Sequence, residues 1–252
     1  MRMTVLLRTS AFLLSCYGAA ACAAPARGQQ LGELPPIHVQ VLLSTTTAGG
    51  ASATLNILPK DPADCPALAS NVRAEVNGRA LLLSDAGGWR RRKGGQRYCE
   101  PPRFDGAGIP LGGDASVRLR DDGKEFAIDA PGGLRAATVA LIQPGDGVMR
   151  AGARVQLALT PSIGAVSHAT VSFRPTNAVT ASFFAEYPAG ALPLSVADGV
   201  LSFVVPANPP PGTGSLQVAA TLARAVSRCQ GPARCTVQTG VGSTVVARVG
   251  AS

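Results

Sequence analysis

The chain has 252 residues, of which 46% are hydrophobic, only 4% are aromatic and 15% are charged, and its formal net charge is +8. Its 29 glycines and 20 prolines exclude a fold of long helices and favour short strands joined by many turns. The length suits two domains of roughly 100 to 120 residues, and the modest positive charge favours acidic partners weakly without indicating nucleic acid.

The amino-terminal residues have the layout of a secretory signal peptide. A short basic start contains Arg2 and Arg8, an uncharged and mostly apolar stretch runs from Thr9 to Ala21, and small residues follow. The apolar stretch is too short to span a bilayer comfortably. We therefore predict a signal peptide over residues 1–22, an exported protein, and no transmembrane helix in the mature chain.

Two processing routes are compatible with this segment. Residues 19–22, Ala-Ala-Ala-Cys, resemble a bacterial lipobox, in which Cys22 is lipidated and becomes the first residue, although Ala19 replaces the usual leucine. The alternative is signal-peptidase cleavage after an A-x-A site at residues 21–23 or 24–26. Either route leaves no odd cysteine, so the sequence leaves open whether the protein is a lipoprotein of the outer membrane or periplasm or is secreted. The N-terminal lipid is the one membrane attachment that we expect.

A Pro- and Gly-containing linker over residues 23–36 is followed by segments with the alternation typical of half-buried strands. The clearest signal is Asn77-Gly78 between two apolar runs, which predicts a two-residue hairpin because both turn positions need positive φ. The strands expected in this first β-sandwich domain, residues 37–130, are 37–41, 53–58, 72–76, 79–83, 116–120 and 125–128.

A second β-sandwich domain is expected over residues 131–252, after the turn at Pro131-Gly132-Gly133. Its expected strands are 137–142, 154–159, 169–173, 181–186, 192–196, 200–205, 215–223 and 243–249.

The segment Pro209–Val218 resembles the corner before the penultimate strand of bacterial immunoglobulin-like and fibronectin-like domains. In that family a Pro-x-Gly turn leads into alternating residues, but Ser215 stands where a tyrosine is usual. The resemblance covers residues 131–252 and implies a fold rather than an activity. The expected fold class is therefore all-β, with two tandem immunoglobulin-like β-sandwich domains after a signal peptide and a short linker.

Four cysteines remain beyond Cys22, and they can pair completely. Three connectivities exist, and pairing within each expected domain favours Cys65 with Cys99 and Cys229 with Cys235. We expect the second bridge to clip a turn between the last two strands of the second domain.

The segment from Trp89 to Cys99 has the most distinctive composition for a binding site. It contains five basic residues, a tryptophan and a tyrosine, with no acidic residue between Asp85 and Glu100. Arginine binds phosphate and carboxylate bidentately, and an indole ring offers a stacking face, so this pattern indicates an anion-binding loop. The alternative is a solvated arginine-rich loop whose tryptophan covers the end of the sandwich. The candidate residues are Trp89, Arg90, Arg91, Arg92, Lys93 and Arg97.

The sequence favours a non-enzymatic protein without a cofactor or a metal site. It contains two isolated histidines, His38 and His168, and no nucleophile-elbow, zinc-protease or phosphate-loop motif. We expect an envelope or secreted binding or scaffolding module, with a passive assembly subunit and an enzyme with a fold-assembled site as alternatives. The partner is unknown from sequence; an anionic envelope polymer or another envelope protein fits the compartment, and nucleic acid does not.

Overall fold

The computed structural model describes residues 28–45, 50–161 and 165–250, and these residues contain strands and turns but no helix. The predicted all-β fold class is therefore confirmed. The predicted signal peptide, including Cys22, and residues 23–27 of the predicted linker lie outside the described residues. Up to residue 130 the strands are β1 (Ile37–Thr45), β2 (Gly50–Pro59), β3 (Arg73–Val76), β4 (Arg79–Asp85), β5 (Gly88–Arg91), β6 (Arg97–Glu100), β7 (Arg103–Pro110), β8 (Ala115–Arg120) and β9 (Glu125–Ala130). The later strands are β10 (Thr138–Gln143), β11 (Val148–Met149), β12 (Arg154–Thr160), β13 (Ala165–Pro175), β14 (Phe183–Tyr187), β15 (Leu192–Pro193), β16 (Ser195–Ala197), β17 (Val200–Val204), β18 (Gly212–Arg224), β19 (Arg228–Gln230) and β20 (Arg234–Val249).

The first hydrophobic core lies between two layers of strands. One layer contains β20, β1, β2 and β7, and the other contains β3, β8, β9 and β19, while β4 passes from one to the other. The alternation in β1 buries Val39, Val41 and Leu43 completely, as its period of two requires. They join one cluster with Val117 and Leu119 of the opposite layer.

The second core lies between the strands β14, β13, β18 and β20 and a separate four-stranded sheet in the order β10, β12, β17, β16. Three rings mark its centre: Phe183 stacks on Phe173 with centroids 5.7 Å apart and meets Phe203 at 5.7 Å. The two sandwich cores are thus separate clusters of buried side chains.

Strand β20 belongs to both cores. Residues 234–241 pair with β1 in parallel, and residues 237–249 pair with β18 in antiparallel fashion. Val237 is buried in the first core, whereas Val241 and Ala247 are buried in the second. Strand β19 pairs with β9, so the chain beyond residue 225 returns to the first core before it finishes in the second. The division into domains at residue 131 stays a prediction.

Candidate functional site

The basic segment forms a hairpin of its own. Strands β5 and β6 pair with each other as a separate two-stranded sheet, with Trp89 opposite Cys99, Arg90 opposite Tyr98 and Arg91 opposite Arg97. Residues 92–96 close the turn, where Arg92 N–H donates to Gln96 O at 2.9 Å. Residues 89–97 are all exposed. Sequence alone indicated the charge of this segment but not its pairing.

The base of the hairpin is fixed to the first sandwich by three connections. The disulfide Cys65–Cys99 ties β6 to the segment before β3. Ala67 bridges Gly87 in antiparallel pairing, and Gly87 N–H donates to Asp85 Oδ1 at 2.7 Å. Gly87 has φ +80°, and a Cβ there would lie 2.5 Å from Pro102 Cδ. This position therefore requires glycine, and the hairpin leaves the body at a defined point.

Each aromatic ring of the hairpin carries one of its arginines. The Arg97 guanidinium carbon lies 4.8 Å from the Trp89 ring centroid, and that of Arg92 lies 5.0 Å from the Tyr98 centroid. These are cation–π distances. One face of each ring is thus occupied by the protein itself, which orients the guanidinium groups without neutralising them.

Arg90 differs from the other hairpin cations because it has a carboxylate partner. Its Nη2 lies 2.9 Å from Asp85 Oδ1. The Gly87 backbone hydrogen bond, together with Arg90, lowers the pKa of Asp85 below its usual value. Among the described residues, no carboxylate pairs with the remaining four cations, which we call the hairpin quartet: Arg91, Arg92, Lys93 and Arg97.

Arg91 and Arg97 stand directly opposite each other across the hairpin. Side chains at such positions have Cβ atoms about 5 Å apart, and like charges placed there destabilise a strand pair. An anion bound between them would remove that repulsion. The structure therefore brings the predicted residues together on one exposed element, while anion binding by them stays a prediction.

A second charged surface, which sequence reasoning missed, crosses β3, β8, β9 and β19. Its charges alternate along the chain of ion pairs Glu75–Arg120 (3.4 Å), Arg120–Glu125 (2.6 Å), Glu125–Arg118 (3.7 Å), Arg118–Asp129 (2.8 Å) and Asp129–Arg228 (3.9 Å). The Arg118 hydrogen bond is the main cause that lowers the pKa of Asp129. A cavity of about 450 Å³ opens beside Arg73, Glu75 and Arg120, and it is lined by both basic and acidic side chains. In the sequence, this surface could have been recognised from a predicted strand with basic residues, 116–120, followed by a segment with acidic residues, 125–129.

The two histidines lie on strands of different cores. His38 is half-buried on β1, and its Nε2 lies 2.9 Å from Thr236 Oγ1. Burial, and then the positive charge of Arg234, lowers the pKa of His38. His168 lies on β13, 3.8 Å from Glu186 Oε1. Within residues 28–45, 50–161 and 165–250, no group of three or more His, Cys, Asp or Glu side chains is arranged to hold a metal ion.

The second disulfide, Cys229–Cys235, is also present. From the sequence, we expected this disulfide to join the last two strands of the second domain. In the structure it joins β19 to the beginning of β20, where these strands pair with β9 and β1 of the first core. The difference arises because the parallel pairing of β20 with β1 is a long-range contact without a local signal.

The described part of the chain has no helix able to cross a membrane.

Comparison with known proteins found no matching family model and no matching curated relative. Among solved structures, titin domains Z1Z2 in complex with telethonin are 14% identical, with 86% of this chain and 94% of that chain covered and a TM-score of 0.22. A chimeric titin Z1Z2–Z1Z2 tandem is 12% identical, with 86% and 96% covered and a TM-score of 0.25. The titin I-band fragment I67–I69 is 8% identical, with 86% and 64% covered and a TM-score of 0.24. Because these TM-scores are low, no property of these proteins is inferred for this chain.

Proposed function

We propose that this chain is an exported, non-enzymatic binding module of the cell envelope, and that the β5–β6 hairpin is its recognition element for an anionic polymer. The observation that carries the proposal is the hairpin quartet: four exposed cations without a carboxylate partner among the described residues, on an element that a disulfide fixes to the body.

The chemistry of the hairpin quartet suits a polymer that carries anionic groups at regular intervals. Arginine donates parallel N–H groups to phosphate or carboxylate, and three of the four cations are arginines. The Trp89 and Tyr98 rings hold two of these guanidinium groups in place, which reduces the side-chain entropy lost on binding. Several anions spaced along a polymer can engage the opposed faces of the hairpin together.

The test is binding of the mature, disulfide-intact protein to immobilised polyphosphate and to a polyuronate, with neutral dextran as the reference. A variant in which the quartet is replaced by glutamine should lose binding, and moderate salt should release the wild type. The charge-matched control replaces four exposed arginines elsewhere on the surface: Arg73, Arg154, Arg174 and Arg248. Retention of both polymers by the quartet variant would place recognition elsewhere and overturn the proposal.

A second candidate is an assembly subunit that offers an edge strand to a partner. Strand β10 lies at one edge of the described four-stranded sheet, and its Ile142 side chain is 48% exposed. Unpaired edge strands can accept a further strand from another chain. Substitution of Ile142 by lysine would abolish such pairing and leave polymer binding intact, which separates this candidate from the first.

A further inference from the structure

The N-terminal end of the described chain lies beside the base of the basic hairpin. Gln29 bridges Leu68 in parallel pairing, and its N–H donates to Ala67 O at 2.6 Å. Ala67 in turn bridges Gly87, the residue before β5. Two neighbouring strand spacings of about 4.8 Å therefore separate Gln29 from the hairpin base, or about 10 Å.

Gln29 follows Cys22, the candidate lipidation site, by seven positions along the chain. A chain of that length spans at most roughly 25 Å when fully extended. A lipid on Cys22 would therefore hold the hairpin close to the bilayer surface. A tether of this length converts a weak surface contact into an intramolecular one.

The composition of the hairpin suits a layer of headgroups. The quartet presents positive charge to phosphate oxygens, and Trp89, which is 46% exposed, presents an amphipathic ring of the kind enriched at membrane interfaces. The Asp85 carboxylate pairs with Arg90 and lies at the base of the hairpin, away from the turn.

We propose that the hairpin tip docks on the phosphate groups of an anionic phospholipid bilayer. This inference goes beyond the proposed function, because it assigns to the same hairpin a second anionic ligand, the phosphate groups of a bilayer surface. It predicts that the N-terminal attachment and the hairpin act together, with the lipid supplying residence and the hairpin fixing the orientation of the first sandwich at the surface.

The experiment uses the mature chain without its lipid, so that binding depends on the protein surface alone. The chain contains one tryptophan, Trp89, whose emission reports directly from the hairpin. Vesicles of equal parts phosphatidylglycerol and phosphatidylethanolamine should sediment with the protein and shift Trp89 emission to shorter wavelength. Phosphatidylcholine vesicles should do neither, and high salt should reverse both effects.

The variant Arg91→Gln/Lys93→Gln removes two charges and leaves both arginine–aromatic stacks in place. Each basic residue near an anionic surface contributes roughly fivefold to partitioning, so we expect a loss of about 25-fold. The matched control, Arg154→Gln/Arg174→Gln, removes two exposed charges from strands of the second core and should change partitioning by less than about threefold. Far-UV circular dichroism checks that both variants are folded.

The outcomes distinguish this inference from the proposed function. Binding to polyphosphate or polyuronate without binding to anionic vesicles overturns the bilayer inference and leaves the polymer-binding function standing. Failure with polymers and vesicles alike overturns both. Vesicle binding that the control variant loses as strongly as the hairpin variant, or that leaves Trp89 emission unchanged, also overturns the inference.

Discussion

The Nε atom of Arg224 donates a hydrogen bond of 2.9 Å to Oγ1 of Thr239, and both side chains are buried. Thr239 Oγ1 donates in turn to the Gly133 carbonyl oxygen at 2.8 Å. Burial, and then the charge of Arg135, lowers the pKa of Arg224. This polar contact joins β18, β20 and the turn after β9 at the point where the chain passes from one core to the other.

Substitution of Thr239 by valine should lower the free energy of unfolding by about 1 to 3 kcal/mol, because the change keeps the shape but leaves Arg224 Nε and Gly133 O without this partner. Urea unfolding followed by circular dichroism measures the change. Thr244→Val is the matched control, since Thr244 lies on the same strand and is exposed. An equal effect of the two substitutions would contradict a special role for the buried contact.

The two disulfides should contribute unequally. Cys65–Cys99 closes a sequence separation of 34 residues and Cys229–Cys235 one of six. Loop entropy in the unfolded chain predicts losses of about 4 and about 2 kcal/mol when each pair is replaced by serine. Urea midpoints of the two double variants test this order. A larger loss for the Cys229–Cys235 pair would mean that native contacts, rather than loop length, dominate.

The free energy of unfolding should decrease as the pH is lowered through the titration of His38. Because the pKa of this residue is lowered in the folded chain, the unfolded chain binds a proton at a higher pH than the folded chain does. The contribution is complete above the unfolded value of 6.5 and is lost as pH decreases from 6.5 through the folded pKa.

Urea unfolding from about pH 8 to about pH 5 measures this dependence, which His38→Gln should weaken. His168→Gln, on a strand of the second core, serves as the control. The explanation fails if the two variants have the same pH profile.

The aromatic centre of the second core should be sensitive to truncation. Phe173 is fully buried, and its replacement by alanine should cost about 3 to 5 kcal/mol through lost burial and the cavity that remains. Phe184, on the neighbouring strand β14, is 51% exposed, so Phe184→Ala should cost less than about 1 kcal/mol. Thermal unfolding of both variants provides the comparison.

Local features of the fold follow from sequence where the cause is local. Asn77 and Gly78 adopt φ of 49° and 74°, as the predicted hairpin requires, and Asp198 and Gly199 adopt 51° and 76° in the turn between β16 and β17. The alternation in β1 and β2 predicted their buried faces for the same reason, since the period of two is a property of the strand itself. The cationic segment was likewise evident from its residues.

The sequence by itself determined an all-β chain with strong turns, two separate groups of alternating strands, and a concentration of charge between Trp89 and Cys99. Tertiary structure alone decided that β20 would serve both cores, that Arg90 would pair with Asp85 while the quartet would not, and that the hairpin would lie near the N-terminal end of the described chain. The physical reason is distance along the chain. His38 and Thr236 are 198 residues apart, and no local propensity encodes which distant strand completes a sheet. That choice depends on the burial of complementary faces when the whole chain packs.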